Sequence, residues 1–156
     1  MARATRADLA ALWELEQSAF LCDRISPQSW SRLIASRSAH VTVARASGEE
    51  GGEEGGEERL LGATVLLQRA RSSVTRLYSL AVAPSARGRG LAIRLVASAI
   101  QQTRGIGAAV LRLETRVDNH AAQRLFVRHG FTPLGRRPAY YEDGADALLY
   151  EKSLEF

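Results

Sequence analysis

Apolar residues recur along this chain with two different periods, and the switches between them divide it into elements. Leu9, Leu12, Trp13, Leu15 and Phe20, with Glu16 among them, follow helical spacing. Residues 6–19 therefore predict an amphipathic helix, opened by Thr5 and Asp8 as a capping box. Ser26 before Pro27 is an N-cap followed by proline at the first helical position, predicting a second helix from Pro27 to Ser36 that buries Trp30, Leu33 and Ile34. A short strand follows at His40–Ala44, then strands over Arg59–Gln68 and Val74–Val82. Residues 91–104 predict a helix with Leu91, Leu95, Val96, Ala99 and Ile100 buried, stopped by Gly105 and Gly107. Val110–Thr115 alternates as a strand, and Asn119–His129 is a helix with Ala122, Leu125 and Phe126 inward, ended by Gly130. Phe131–Arg136 and Ala147–Leu154 close the chain as strands around the turn-rich loop RRPAYYEDGAD.

The order is ααβββαβαββ. Strand–helix alternation in the centre predicts adjacent parallel strands joined by right-handed crossovers, and the first two long strands read as a hairpin. The class is α/β, a mixed central sheet flanked by helices.

Composition narrows this further. With 156 residues, 46% hydrophobic and 24% charged, the chain is expected to be one domain over 1–156 with an ordinary core. Residues 48–58, GEEGGEEGGEE, lack core-forming side chains and predict a flexible loop. A calcium site there lacks the positional pattern of an EF-hand. No run approaches a membrane span and no signal-peptide core is visible, so a cytoplasmic protein without membrane contact is expected. The lone Cys22 fits a reducing compartment. Removing the six glutamates of 48–58 raises the net charge from +4 to +10, so the remaining body is basic. No lysine precedes Lys152, which points to an arginine-biased composition rather than a nucleic-acid surface. His120 and His129 lack metal-ligand partners at suitable spacing, and no metal is expected.

The chemistry concentrates in LYSLAVAPSARGRGLAIRL, Leu77–Leu95: a strand, a basic glycine turn, then a helix. Glycines at Gly88 and Gly90 permit positive φ and close approach of a ligand. Backbone donors, a helix N-terminus and two arginines suit a pyrophosphate. A nucleoside-triphosphate loop requires a lysine that is missing, and a dinucleotide fingerprint requires a third glycine where Ile93 stands. The pattern [QR]-x-x-G-x-[GA] fits, through Arg87, Gly90 and Ala92.

With the preceding YSLAVAP, this resembles the coenzyme A loop of the Gcn5-related N-acetyltransferase (GNAT) superfamily. A second segment, LRLETRVDNHAAQRLFVRHGFTPLGRRPAYY, resembles the latter half of such a domain. Together they cover about Arg59 to Lys152, and among subfamilies the ribosomal-protein alanine N-acetyltransferases are most similar. The resemblance implies acetyl-coenzyme A as cosubstrate and a primary amine as acceptor: a protein N-terminal α-amine, or a small amine or lysine. It implies that the backbone at Leu80, Ala81 and Val82 holds the acetyl-pantetheine arm. Arg87, Gly88, Arg89, Gly90, Leu91 and Ala92 are expected to bind the pyrophosphate, with Asn119 also contacting the cofactor. Glu114 matches the general base. Phe126 stands beside the cofactor where the family usually has a tyrosine that protonates the leaving thiolate.

Acetyl transfer needs a neutral amine and a protonated product thiol. At neutral pH roughly one in ten α-amines is neutral, against about one in 2,500 lysine amines, so a base matters for both. Glu114 can serve directly or through water. As an ordinary strand glutamate it would instead pair with Arg112 or Arg116, which share its face. Phe126 cannot donate a proton, which leaves Tyr140, Tyr141 or solvent. Tyr140, Tyr141 and Glu142 are expected to line the acceptor site, where the acids of YYED would favour a cationic amine. Two other readings stand beside this one: a non-catalytic acyl-coenzyme A sensor, and an RNA- or ribosome-associated acetyltransferase. A monomer or a homodimer is expected.

Overall fold

The computed structural model describes residues 1–46 and 59–154. The predicted loop over 48–58 lies outside them. The strands are β1 (Ala2–Arg3), β2 (Ala39–Arg45), β3 (Leu60–Gln68), β4 (Val74–Val82), β5 (Val110–Arg116), β6 (Thr132–Arg137) and β7 (Ala147–Ser153). The helices are α1 (Leu9–Ala19), α2 (Pro27–Ala35), α3 (Leu91–Ile106) and α4 (His120–Arg128). The strands form one mixed sheet in the order β1-β2-β3-β4-β5-β7-β6. With the two-residue β1 set aside, the element order is the predicted one.

Two compact units share β3, β4 and α3. The first comprises Met1–Val65 and Ser79–Leu95. Its core includes Leu12, Trp30, Val43, Val65 and Leu95, all essentially inaccessible. The Asp8 carboxylate accepts the Thr5 N–H at 2.8 Å, as the capping box requires, and is gripped by Arg45 at 2.7 and 3.1 Å. The Ser26 hydroxyl caps α2 by accepting the Ser29 N–H at 3.1 Å. Of the residues expected inward on α2, Trp30 is buried while Leu33 and Ile34 are half-buried.

The second unit comprises Leu66–Tyr78 and Val96–Phe156. Its parallel ladder joins Val74–Leu77 of β4 to Val110–Leu113 of β5, as the crossover argument expected. The next crossover does not give adjacent strands. β7 lies antiparallel between β5 and β6, pairing along the whole of β5, and leaves β6 outermost with every residue exposed. Helix α3 continues through Gly105, contrary to expectation, and stops at Gly107, whose φ of +85° requires glycine.

Candidate active site

The first unit holds the glycine turn. Strand β4 ends at Val82, and the Ala83 N–H donates to the Leu61 carbonyl at 2.8 Å, fixing the strand end against β3. A short 3-10 turn, Pro84–Ala86, precedes Arg87, Gly88, Arg89 and Gly90, which are all exposed. Gly88 and Gly90 adopt φ of +79° and +76°, so both positions need glycine for conformation rather than for space. Helix α3 then starts at Leu91, and its first internal bond, Arg94 N–H to the Gly90 carbonyl, is 3.2 Å. The N–H groups of Leu91, Ala92 and Ile93 precede that bond and have no acceptor within the helix. Arg87 also donates to the Ala19 carbonyl at the end of α1, at 3.4 Å. Leu80 and Val82 are half-buried and Ala81 is buried. The turn thus offers main-chain donors and cationic side chains to an anion.

The second unit holds Glu114. Alternation along β5 buries Leu111, Leu113 and Thr115 and puts Arg112, Glu114 and Arg116 on the other face, as expected. Their partners differ from expectation. Glu114, with a side chain only 13% exposed, accepts from Arg76 Nε at 3.0 Å, across the ladder from β4. Arg112 instead pairs with Glu151, directly opposite on β7, and Arg116 pairs with Asp118 and Asp143. Arg112 and Arg116 are thus engaged by these acids, and Glu114 by Arg76.

Arg76 was not singled out from the sequence. Its Nη2 donates to the Tyr140 hydroxyl at 2.7 Å, and its guanidinium lies 5.3 Å from the centroid of the Tyr78 ring. Burial opposes its charge, but Glu114 and Tyr140 outweigh that, and its pKa is raised. Tyr140 packs edge-on against Tyr141 at 5.0 Å, with Arg116 lying 5.0 Å from the Tyr141 ring and Arg137 6.0 Å from that of Tyr140. The loop between β6 and β7 is closed by Gly144 N–H to the Tyr141 carbonyl at 2.9 Å and by Ala139 N–H to Asp146 at 2.9 Å. Asp143 is clasped by Arg116 at 2.6 and 3.2 Å, which holds the aspartate below its usual range and raises Arg116. Part of the acidity expected to attract a cationic amine is therefore already compensated, while Glu142 is exposed.

The remaining expected residues have plain local roles. The Asn119 side chain caps α4, its Oδ1 accepting the Ala122 N–H at 3.1 Å. Phe126 is 5% exposed and packs edge-on against Phe131 at 5.4 Å, as a core residue does. His129 Nδ1 lies 2.8 Å from the Leu125 carbonyl. Among the described residues no cluster of three or more His, Cys, Asp or Glu is placed to hold a metal ion. No described helix is long and apolar enough to cross a membrane.

The first unit thus carries a glycine turn that opens a helix after an apolar strand, and the second a largely buried carboxylate on β5. Residues 9–131 match the profile of the acetyltransferase (GNAT) family. A Mycobacterium tuberculosis protein named N-alpha-acetyltransferase RimI is 34% identical over 152 residues, covering 95% of this chain and 88% of that protein. A Bacillus subtilis protein, named as a candidate [ribosomal protein bS18]-alanine N-acetyltransferase, is 30% identical over 143 residues, covering 91% and 87%. The crystal structure of Arabidopsis thaliana NAA60 in complex with acetyl-CoA superposes with a TM-score of 0.82 at 18% identity, covering 97% of this chain and 96% of that one. The chain belongs to the GNAT family and is an acetyltransferase.

Proposed function

We propose that this acetyltransferase transfers the acetyl group of acetyl-coenzyme A to a primary amine by direct attack in a ternary complex, with protein N-terminal α-amines as the first acceptor class. The observation that carries this is the match, over nine-tenths of the chain, to two relatives both named for N-terminal or alanine N-acetylation. The cosubstrate fits the residues present. Its pyrophosphate needs main-chain N–H groups and a positive field, which the Arg87–Ala92 segment supplies. Its pantetheine arm needs strand-like backbone partners, the role of Leu80, Ala81 and Val82.

Glu114, directly or through a water, takes a proton from the acceptor ammonium; the neutral amine then attacks the thioester carbonyl, and its second proton passes to solvent as the tetrahedral adduct collapses to the amide. The sulfur leaves as a thiolate, and a tyrosine of the β6–β7 loop, Tyr140 or Tyr141, returns a proton to it. Phe126 packs beside the cofactor and supplies no proton. Tyr140, Tyr141 and Glu142 border the acceptor.

The test joins a binding and a transfer measurement. Titration calorimetry with acetyl-coenzyme A should give saturable binding that Gly90→Val abolishes, because a β-branched residue does not adopt φ near +76°. Mass spectrometry should then find acetylation of peptides with free α-amines in preference to N-blocked peptides bearing lysine. Binding without transfer to any amine would convert the reading to an acyl-coenzyme A sensor. No binding at millimolar concentration would remove it.

A further inference from the structure

We propose that Arg76 is a positioning residue of this enzyme, one guanidinium that holds the base and the acceptor loop in a fixed relation. The inference rests on the acetyltransferase reading above and goes beyond it, since Arg76 belongs to neither the glycine turn nor the segment from Leu111 to Tyr141 that carries the second resemblance. Three contacts converge on it. Nε donates to Glu114 Oε2 on β5 at 3.0 Å, Nη2 donates to Tyr140 Oη in the β6–β7 loop at 2.7 Å, and the plane lies 5.3 Å from the Tyr78 ring on its own strand. The partners lie 38 and 64 residues away in sequence, so the contact network ties together segments that nothing local connects.

Each contact has a chemical consequence. A guanidinium only donates, so the Tyr140 oxygen must accept, and its own proton remains for another acceptor. That separates the two adjacent tyrosines: Tyr140 is the one whose hydroxyl is aimed by Arg76, and Tyr141 lies against Arg116. The carboxylate is fixed through Oε2, which sets the direction of Oε1. Glu114 is mostly buried, and burying a carboxylate is costly unless a donor such as Arg76 is paired with it. The planar fork holds both partners at once with little further loss of freedom, which a lysine ammonium does not reproduce. Arg76 itself is 37% exposed, so the pair adds little to global stability, and its effect falls on geometry.

The experiment compares full-length wild type with Arg76→Gln, Arg76→Lys, Tyr140→Phe, Glu114→Gln and the double variant Arg76→Gln/Glu114→Gln. Steady-state acetylation of an N-terminal peptide, acetyl-coenzyme A titration and amide hydrogen exchange of residues 138–146 are measured on each. Arg76→Gln should lower kcat about 10- to 100-fold, while the affinity for acetyl-coenzyme A stays within about twofold. Arg76→Lys should recover only part of the loss. In the Glu114→Gln background the same change should cost less than about threefold, because the residue it acts through is gone. Exchange across the loop should speed about threefold in Arg76→Gln. A kcat within twofold of wild type, or an equal fractional loss in both backgrounds, overturns the proposal. Should Arg76→Gln not fold, Arg76→Lys carries the same comparison. If wild type binds acetyl-coenzyme A yet acetylates no amine, the functional reading fails. The exchange result still decides on Arg76: unchanged loop protection in Arg76→Gln overturns it.

Discussion

Gly62→Ala probes the packing that sets the start of α3, and with it the glycine turn. A Cβ placed on Gly62 would lie 2.9 Å from Leu95 Cδ1, 3.0 Å from the Ala81 carbonyl oxygen and 3.2 Å from Leu91 Cδ2. Leu91 and Leu95 are successive buried positions on one face of α3, and Ala81 is a strand residue. The leucine ends could swing aside only within a full core, and the carbonyl is backbone. Relief therefore needs a displacement of about half an ångström by α3 or β4, and overpacking of this kind costs about 1–3 kcal/mol. Alanine also restricts the unfolded chain, which offsets about 0.4–1 kcal/mol. The clash wins, leaving a net loss of about 1–2 kcal/mol, or about 2–8 °C in Tm for a chain of this size. Urea denaturation should show a lower midpoint at unchanged m-value. Because Leu91 directly follows Gly90, acetyl-coenzyme A should also bind more weakly. Leu95→Ala removes the closest contact, so Gly62→Ala made in that background should cost less, or stabilise. Equal or greater stability of the single variant, or strict additivity in the pair, would refute the close-approach argument.

At pH 7, Glu114→Gln should lower kcat about 100-fold, and the deficit should shrink above pH 8 as α-amine acceptors become neutral unaided. An identical deficit at pH 7 and 9.5 removes Glu114 as the base. Phe126→Tyr places a hydroxyl on a ring that is 5% exposed; it should cost about 1–3 kcal/mol of stability and leave turnover unimproved. A tenfold gain in kcat would show that this position reaches the leaving thiolate after all. Asp8 is held below its ordinary value by hydrogen bonds from Arg45, against the opposing effect of burial. Its folded pKa is depressed, so its stabilising contribution is complete above the unfolded value of about 3.9 and disappears as pH falls through the lower folded value. Asp8→Asn should cost about 1–3 kcal/mol at neutral pH and flatten the acid side of the stability profile. Denaturation midpoints from pH 2 to 7 that run parallel in both proteins count against this.

Elements with strong period and clear caps were legible from the residues alone. Val74–Val82 agrees at both ends, and Ser26 caps α2 through the bond its position before Pro27 implies. Misreadings occur where local pattern competes with something non-local. Gly105 is a poor helix former, yet it lies on an exposed face of α3, where a penalty of about 1 kcal/mol is carried by the buried side of a long helix. The two residues of β1 are too few to show a period, and only pairing with β2 makes them a strand. The insertion of β7 between β5 and β6 is a matter of sheet order, which alternation along one segment does not encode.

The partner of Glu114 was missed for a geometric reason that applies to any sheet. Alternation puts Arg112, Glu114 and Arg116 on one face, but a single strand's pattern offers partners only along that strand. Residues two apart on a strand are separated by about 6.6 Å of rise, whereas neighbouring strands lie about 4.8 Å apart. A charged side chain in a central strand therefore meets the adjacent strands before its own. β5 lies between β4 and β7, so each charge on this face had cross-strand candidates. Arg112 took Glu151, opposite it in the β7 register. Arg76 faces Arg112 in the β4 register, a like-charge pair that disfavours direct contact, and reaches diagonally to Glu114 instead. The arginine was visible in the sequence as the one charge in an apolar strand, on the face opposite Thr75 and Leu77. Its significance follows from the adjacency of β4 and β5, which the parallel crossover predicts.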